Sequence, residues 1–323
     1  MKILIAPLNW GLGHATRCLP LIVRHLRAGD DVVLAGDGES GLLLRKHFPG
    51  LRYIPLPELN LRYSKGRSQT GAVARMIPKI LVWSAADHKT LEQLLRRESF
   101  DLVISDNRPG LYSRRCRCAY ITHQLLIRMP GGLRFLEDMG HKLHLRIIRR
   151  FSECWVPDSE GENNLSGDLA HRYPLPQNAR FIGPLSRFEY VRPEEGPGEY
   201  DTVAVISGLE PQRSLFEKAV LDEYAGKNER LLVVRGKIGG ANMTVRKGNV
   251  TLMPAISDES LARHLLSART VISRSGYSSI MDYAALGLPE KQRRGELSLR
   301  LVPTPGQPEQ EYLAEWMKTH TRN

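Results

Sequence analysis

The sequence predicts an α/β protein built from two halves of similar plan. In each half, short apolar strands end in polar or small residues and lead into helical patterns, as in residues 2–36 and 200–214. This order is typical of open parallel sheets, which bind ligands at the carboxyl ends of their strands. A stretch rich in Pro, Gly and Glu at 192–199 lacks periodicity and predicts a linker. We therefore predict an N-terminal domain over residues 1–194 and a C-terminal domain over residues 195–323.

Charge and composition narrow the class of protein. The 323-residue chain has a net charge of +11, and it lacks an apolar run of about 18 residues, so no membrane-spanning helix is predicted. The basic excess is typical of proteins that meet nucleic acid, an anionic membrane or anionic substrates. No aromatic-interleaved basic platform or helix-turn-helix pattern is present, which argues against nucleic acid. The four cysteines lack metal or disulfide spacing and no secretion leader is evident, which predicts reduced thiols in the cytosol.

The first predicted strand, residues 2–8, runs into a glycine loop and then a helix from 18 to 28. Gly11 and Gly13 begin a dinucleotide fingerprint, but Thr16 stands where a third small residue is needed, which argues against an NAD site. His14 lies in the same loop, and an imidazole can act as a general base near neutral pH. A role for His14 in helix capping or in binding phosphate is the alternative.

Two later strands of the first half also end in polar residues. Asp106 and Asn107 close the strand that begins at Phe100, and His123 closes the strand from Cys118. Because parallel strands end at the same edge as the glycine loop, we expect these side chains to lie in one cleft. Asp106 is predicted to orient a base or to act as one, with a helix-capping or turn-forming role as the alternative.

Two long helical stretches are predicted beside this cleft. Residues 73–97 form a helix that Pro78 is expected to break or kink, after a polar, basic loop at 60–70. Residues 132–155 combine apolar residues at helical spacing with many basic ones. We predict that the apolar residues face the core and the basic face is solvated, with contact to an anionic membrane as the alternative. The residues expected to face the core are Leu133, Leu136, Met139, Leu143, Ile147 and Phe151.

The stretch from Val271 to Gly287 gives the clearest sign of a ligand. A short apolar strand meets a turn of Ser and Gly, and a helical pattern follows. The first N–H groups of a helix have no partner within it and its dipole favours negative charge, so this turn predicts an anion site. An ordinary capped helix is the alternative. The candidate contacts are Ser275, Gly276, Ser278 and Ser279, with Asp282 one turn into the helix as an acceptor for a sugar-like diol.

This motif resembles the donor-nucleotide motif of GT-B glycosyltransferases, in the branch shared by the UDP-glycosyltransferases and the peptidoglycan GlcNAc transferase. The resemblance implies two Rossmann-like domains that face each other across a cleft. It implies that Gly276, Ser278 and Ser279 hold a pyrophosphate, and that Asp282 holds ribose where the family usually has Glu.

The resemblance also assigns residues outside this motif. It implies that the loop of Gly11, Gly13 and His14 faces the interdomain cleft with His14 at the reacting centre, and Asn107 and His123 are expected on the acceptor side. On the donor side it implies Ser207, Gly208 and Arg213 near the phosphates, Met253 to Ile256 near the base, and Gln307, Glu309 and Gln310 near the sugar.

The implied activity is inverting transfer of a hexosyl or N-acetylhexosaminyl group from a nucleotide-diphosphate donor, with UDP-sugar preferred. No metal or other cofactor is implied. The acceptor is unknown, and a lipid-linked or glycan acceptor of the bacterial cell envelope is implied for a cytoplasmic protein that can contact the inner face of the membrane.

Two other functions are compatible with these patterns. One is a nucleotide-sugar epimerase or hydrolase with the same fold, and the other is a non-catalytic binding module. Two features favour the module: the polar stretch 288–297, predicted as an inserted loop, and a C-terminal helix predicted to be too short to reach the first domain.

Overall fold

The computed structural model describes residues 1–59, 70–196, 198–237 and 243–320, with the backbone alone for residues 70–77. The predicted basic loop at 60–70, with Arg62, Lys65 and Arg67, lies outside the described residues except for the backbone of Thr70. Two separate β-sheets with helices packed on their faces form an α/β structure. Among the described residues, no helix is both long enough and apolar enough to cross a membrane.

The first sheet has seven strands, all parallel to their neighbours, in the order β3-β2-β1-β4-β5-β6-β7. Short helical turns at Gly131–Leu136 and Arg187–Tyr190 accompany it. Its elements are β1 (Lys2–Pro7), α1 (Gly13–Arg27), β2 (Asp31–Gly36), α2 (Gly38–His47), β3 (Tyr53–Pro55), α3 (Thr70–Leu95), β4 (Leu102–Asp106), β5 (Arg117–Ile121), α4 (Glu137–Ile148), β6 (Glu153–Val156), α5 (Asp168–His171) and β7 (Ala179–Phe181).

The second sheet has six strands in the order β10-β11-β9-β8-β12-β13. Its strands are parallel except for the edge pair β10 and β11, which is antiparallel. Its elements are β8 (Thr202–Val205), α6 (Gln212–Tyr224), β9 (Leu231–Val234), β10 (Val245–Lys247), β11 (Val250–Met253), α7 (Asp258–Ser267), β12 (Thr270–Arg274), α8 (Tyr277–Ala285), α9 (Leu288–Arg293), β13 (Ser298–Val302) and α10 (Pro308–His320).

The continuous apolar strands are explained by burial on both faces of the sheets. In β1, Ile3 and Ile5 join one core cluster while Leu4 and Ala6 join another on the opposite face. Strands covered on both sides read as apolar runs instead of alternating patterns, as in the sequence. The segment between β7 and β8 joins the two sheets, and the predicted domain boundary after residue 194 lies in it. The exact position of this boundary remains a proposal.

Each sheet has one position where the strand order reverses, between β1 and β4 and between β8 and β12. Open α/β sheets bind ligands at such switch points. The loops at the two positions touch, because the Ser278 hydroxyl donates a hydrogen bond to the Gly13 carbonyl at 2.9 Å. Gly11, at a φ of 75°, lies so close that a Cβ atom there would be 3.9 Å from the Gly208 Cα. The two switch points therefore face one another across the cleft.

The end of the chain differs from the sequence-based expectation in two ways. Residues 288–293 form α9, which begins after Gly287 in the left-handed conformation and buries Leu288 and Pro289. The prediction of an inserted loop there is wrong, because the two buried residues give the segment a packed face. The prediction that the last helix is too short is also wrong. Leu313 and Met317 of α10 pack into the first domain's core.

Two helical predictions for the first domain also need correction. Helix α3 continues through Pro78, so the predicted break is wrong, and the alternative of a kink stays a prediction. In α4 the buried positions are Glu137, Gly140, His144 and Ile148. Met139 and Leu143, which were expected to face the core, are 53% and 50% exposed. The apolar spacing was misleading because a polar histidine and a glycine occupy the packed face.

A buried ionic cluster stabilises the first domain. The Arg108 side chain is inaccessible to solvent, donates to both Asp87 oxygens at 3.0 and 2.8 Å, and contacts Asp37 and the Trp83 ring. Arg108→Ala would leave two carboxylates uncompensated, so we expect a loss of about 3–5 kcal/mol in unfolding free energy. Urea denaturation measures this loss.

The matched control is Arg117→Ala, which removes an exposed arginine paired with Glu153. Exposed pairs contribute about 0–1 kcal/mol. Equal losses for the two variants would contradict the role of burial at Arg108.

Candidate active site

A cavity of about 550 Å³ lies between the two domains where the switch points meet. The loops after β1 and β8 and the start of α8 line it, together with residues of α10. Most of the predicted site residues share this one cavity although they are far apart in the chain. They are Gly11, Gly13, His14, Asn107, His123, Ser207, Gly208, Gly276, Ser278, Ser279, Asp282, Gln307, Glu309 and Gln310.

Four predicted site residues do not line the cavity. Ser275 is fully buried and its hydroxyl donates to the Gln310 carbonyl at 2.7 Å, so that hydroxyl is not presented to a donor phosphate. Arg213 pairs with Glu210 and Glu39 at 3.1 and 3.4 Å. Met253 is partly buried against the core of the second domain, whereas Ala255 and Ile256 of the same predicted base pocket line the cavity. The fourth residue is Asp106.

Asp106 lies at the end of β4, beneath His14, and is fully buried. One oxygen is 3.1 Å from Nδ1 of His14, and the other accepts from Nε of Arg17 at 2.6 Å. The structure therefore places Asp106 behind the imidazole, where it can orient His14, and away from the cavity, where a direct base would have to stand. Of the two roles predicted for Asp106, this geometry fits the orienting one.

Arg17 forms the centre of this cluster, whereas from the sequence it is expected to be a helix-face residue or a phosphate contact. Its side chain is 1% exposed, and Nη2 lies 2.9 Å from Nδ1 of His14 and in short contact with Asp106. Nη1 lies 3.3 Å from Nδ1 of His123. Arg17 lies one turn after the glycine loop, where it resembles any helix-face arginine, so only the burial of α1 reveals its role.

Burial and neighbouring charges set the ionisation of these groups. Burial raises the pKa of Asp106, but the charges of Arg17 and His14 outweigh it and hold that pKa well below the usual range. Burial, and then the charge of Arg17, lower the pKa of His14 against the opposing effect of Asp106. A neutral imidazole beside an ionised carboxylate is the state required of a general base. When Nδ1–H donates to Asp106, Nε2 is left as the acceptor for a substrate proton.

A second histidine connects the two domains. Nε2 of His123 lies 2.8 Å from the carboxylate of Glu309, in the first turn of α10. The imidazole stacks on the ring of Tyr277 in α8, with 4.3 Å between centroids. Burial raises the pKa of Glu309, but His123, His14 and Arg17 together lower it below its usual value. His123 therefore couples the acceptor-side cluster to a residue predicted to contact the donor sugar.

The start of α8 has a buried cation beside it. Arg274 lines the cavity and is 5% exposed. Nη1 and Nη2 donate to the carbonyls of Pro303 and Gln212, at 2.8 and 3.2 Å, and the guanidinium lies over the Phe216 ring. Among the described residues, its Nε has no hydrogen-bond partner. Burial lowers the pKa of Arg274 to about 10, so the side chain remains a cation at neutral pH.

Asp282 lines the cavity but already has protein partners. One oxygen accepts from the Ser186 hydroxyl at 2.8 Å, and the other accepts from Nε of Arg187 at 2.9 Å. Arg187 also pairs with Asp258 at 3.3 Å. A ribose diol would have to share this carboxylate with Arg187, and the shorter side chain of Asp lies close to its partners. The ribose role of Asp282 remains a proposal.

Metal ligands were not predicted for this site. Within the described ranges, no group of three His, Cys, Asp or Glu side chains is arranged to hold a metal ion. The positive charges at the cavity come from Arg17, Lys46, Arg187 and Arg274 and from the start of α8.

Comparison with known proteins finds relatives that are named as glycosyltransferases. No protein-family model matches the sequence. An uncharacterized glycosyltransferase of Methanosarcina acetivorans is 25% identical over 312 residues, which cover 90% of this chain and 78% of that protein.

Solved structures align along nearly the whole chain. The spinosyn rhamnosyltransferase SpnG aligns with a TM-score of 0.59 at 14% identity, over 99% of this chain and 84% of that chain. A Listeria monocytogenes protein assigned as a UDP-N-acetylglucosamine 2-epimerase aligns with a TM-score of 0.57 at 11% identity, over 99% and 89%.

The two sheets and the cleft between them define a GT-B fold. The predicted fold class, two Rossmann-like domains facing across a cleft, is confirmed. The resemblance to GT-B glycosyltransferases is confirmed as well, without a specific link to the peptidoglycan GlcNAc transferase branch.

Proposed function

We propose that this protein is an inverting glycosyltransferase that takes a sugar from a nucleoside diphosphate donor without a metal ion. The observation that carries the proposal is Arg274, a buried cation beside the first turn of α8. Its contacts within the described part of the chain are all uncharged. An uncompensated buried charge is costly, so a site built this way favours an anionic ligand. Helix N-termini and arginine side chains both bind phosphate oxygens well.

In the proposed reaction, the acceptor hydroxyl approaches Nε2 of His14, which takes its proton as the oxygen attacks the anomeric carbon. In the tautomer that carries its proton on Nδ1, Asp106 is positioned to accept from that N–H, with 3.1 Å between the two atoms, and it stabilises the imidazolium that forms. The diphosphate leaves on the opposite face of the sugar, where Arg274 and the start of α8 stabilise its developing charge. These positive groups would take the part that a divalent metal plays in other transferases.

The donor is proposed to be a UDP-sugar, with hexosyl or N-acetylhexosaminyl transfer. Ser207, Gly208, Gly276, Ser278 and Ser279 are proposed at the diphosphate, Asp282 at ribose, and Gln307, Glu309 and Gln310 at the sugar. SpnG has been solved with thymidine diphosphate, so TDP is the competing nucleotide to test.

The acceptor side of the cavity has an apolar wall. Leu8, Leu59 and Trp83 form a buried cluster, and Trp10 and Ile80 pack against it; all five line the cavity. This wall supports an acceptor with a substantial apolar part, such as a lipid-linked one, over a bare glycan. The four free thiols, three of them buried, support the proposed cytoplasmic location.

A nucleotide-sugar epimerase is the second candidate, favoured by the structural likeness to the Listeria protein. An epimerase would convert the donor with no acceptor present. The non-catalytic module has lost its two supporting observations, because residues 288–293 form a packed helix and α10 reaches the first domain.

The function is tested first by thermal unfolding with UDP, TDP, GDP, ADP and uridine. We expect a selective upward shift with UDP and a smaller one with uridine, because a ligand at about 100 times its Kd stabilises the folded state by about 2.7 kcal/mol. Arg274→Gln should abolish the difference between UDP and uridine. Asp282→Asn should weaken both shifts. The control Asp222→Asn changes an exposed carboxylate on α6 and should bind as the parent does.

No shift with any of the four nucleotides would overturn the donor site. A UDP shift that Arg274→Gln leaves intact would remove the observation on which the proposal rests.

A further inference from the structure

The exposed side of α4 carries an unusual mixture of residues. Phe135, in the turn before α4, is 76% exposed, and Met139 and Leu143 on α4 are about half exposed. Lys142 and Arg146 are exposed between and beyond them. We call these five residues the α4 face. Clustered exposed apolar residues on a soluble domain mark an interaction surface, and the basic neighbours indicate an anionic partner.

The α4 face continues into a second cavity of about 560 Å³. Arg149 and Arg150 follow α4 directly and line this cavity together with Arg114 and Arg115. We call these four residues the arginine groove. Arg150 packs over the ring of Tyr112 at 5.3 Å, which holds its guanidinium at the groove. The basic charge of the surface thus extends from one end of α4 to beyond the other.

The carboxylates near this surface are already engaged. Glu92 in the groove accepts from the Ser113 hydroxyl at 2.6 Å and from Arg115 at 3.1 Å. Asp138 at the start of α4 accepts from the hydroxyl of Tyr173 at 2.5 Å. Because Glu92 neutralises Arg115, the remaining positive charge of the groove comes from Arg114, Arg149 and Arg150. Asp138 keeps its negative charge beside Lys142 and Arg146, because a tyrosine hydroxyl is a neutral donor, and the surface as a whole is still net cationic.

We propose that the α4 face and the arginine groove together hold this protein on an anionic phospholipid bilayer. The apolar residues Phe135, Met139 and Leu143 enter the headgroup region, and the arginines pair with lipid phosphates. A lipid bilayer fits both halves of the surface, because it offers apolar depth and negative charge side by side. A soluble phosphate compound would use the groove alone and would leave the α4 face uncovered.

The position of the surface fits this partner. The opposite side of α4 gives His144 and Ile147 to the wall of the main cavity, and Ile80 and Trp83 of α3 line the same cavity. Beside them on α3, Leu81 and Val82 are exposed. Both helices therefore separate the acceptor side of the cavity from an apolar outer surface. A role of this position in delivering a lipid-linked acceptor rests on the proposed function. Binding to a bilayer does not depend on the proposed function.

The test is co-sedimentation of the full chain with vesicles of phosphatidylcholine, with or without phosphatidylglycerol. We expect binding to the anionic vesicles alone, weakened by salt. Arg149→Ser with Arg150→Ser should weaken it about 25-fold, since each basic residue near the surface contributes about fivefold. The triple variant Phe135→Ser, Met139→Ser, Leu143→Ser should weaken it by more than about tenfold through lost apolar burial.

Matched controls separate this surface from general charge and hydrophobicity. Arg96→Ser with Arg97→Ser removes two exposed arginines beyond the end of α3, and Leu215→Ser with Val245→Ser removes two exposed apolar residues from the second domain. Both controls should bind vesicles as the parent does. An unchanged melting temperature and a retained thermal shift with UDP would show that the surface variants fold. These two measurements also separate the test of bilayer binding from the test of the donor site.

Three results would overturn the proposal. The first is equal sedimentation with neutral and anionic vesicles, and the second is variants that bind like their controls. The third is a combination of two observations: inorganic phosphate competes with the vesicles, and the triple serine variant binds vesicles as tightly as the parent. That combination would identify the arginine groove as a site for a soluble phosphate compound.

Discussion

Replacing His14 by alanine is expected to lower the rate of sugar transfer by about 10²–10⁴-fold, the usual contribution of a general base. The donor should still bind, because His14 faces the acceptor side and the proposed phosphate contacts are at α8 and Arg274. The measurement is single-turnover transfer to an acceptor that supports activity, together with the UDP-induced thermal shift of the same variant. Loss of both would mean that His14 contributes to donor binding instead.

The pH dependence of transfer gives an independent check on His14. Burial and Arg17 lower the pKa of His14, and the base acts in its neutral form. The rate should therefore fall as pH decreases through a midpoint below the ordinary histidine value, and His14→Ala should lack this limb.

The chain contains a matched control for this experiment. His25 approaches Asp30 with 2.8 Å between Nδ1 and a carboxylate oxygen, so it makes the same kind of contact as His14 with Asp106. His25 belongs to the last turn of α1, away from the residues that line the cavity. His25→Ala should transfer sugar at the parent rate. A similar loss in the two variants would remove the assignment of His14 as the base.

Asp106→Asn is expected to have the largest combined effect on stability and activity. Asp106 and Arg17 are both buried and their charges compensate each other, so neutralising one leaves the other uncompensated at a cost of about 3–5 kcal/mol. Urea denaturation should show this loss. Because the Asp106 carboxylate raises the pKa of His14, the acid limb of the transfer profile should also move to lower pH.

A second substitution distinguishes a positioning role from a purely structural one. Arg17→Met combined with Asp106→Asn removes both buried charges, and such paired replacements are often neutral or stabilising. The double variant should regain most of the lost stability and remain slow in transfer. Its acid limb should lie at higher pH than that of Asp106→Asn alone, because the charge of Arg17 no longer lowers the pKa of His14. If the double variant recovered the full transfer rate along with the stability, Asp106 would be a structural residue. If Asp106→Asn alone were as stable as the parent, that result would contradict the stabilising role of the ion pair.

Local patterns in the sequence predicted much of this protein. The strands ending in Gly, Ser or Asp, the Gly11–Gly13 loop and the motif from Val271 to Gly287 each depend on neighbours in the chain. Their backbone preferences and hydrogen-bonding needs are therefore readable from the residues themselves. The two-domain α/β fold and most cavity residues followed from these patterns, because parallel strands bring their carboxyl ends to one edge.

Other features depended on contacts between distant segments. The role of Arg17 depends on Asp106, 89 positions away, and His123 meets Glu309 across 186 positions. Ser275 and Asp282 looked like ligands for a donor, yet Gln310, Ser186 and Arg187 occupy their polar atoms in the structure. No local rule predicts such pairings, because each polar side chain forms hydrogen bonds with whichever groups the fold brings near it.

The sequence alone predicted the two α/β halves, most of their strands, and the turn proposed to bind an anion, because these depend on local periodicity and turn chemistry. The tertiary structure alone decided which face of α4 is buried, that α10 reaches the first domain, and which charge compensates Arg17. The physical reason is that burial and charge compensation are properties of the packed molecule. The helix propensity of a residue is the same whether its side chain contacts the core, an opposite charge or water, so local patterns do not distinguish these environments.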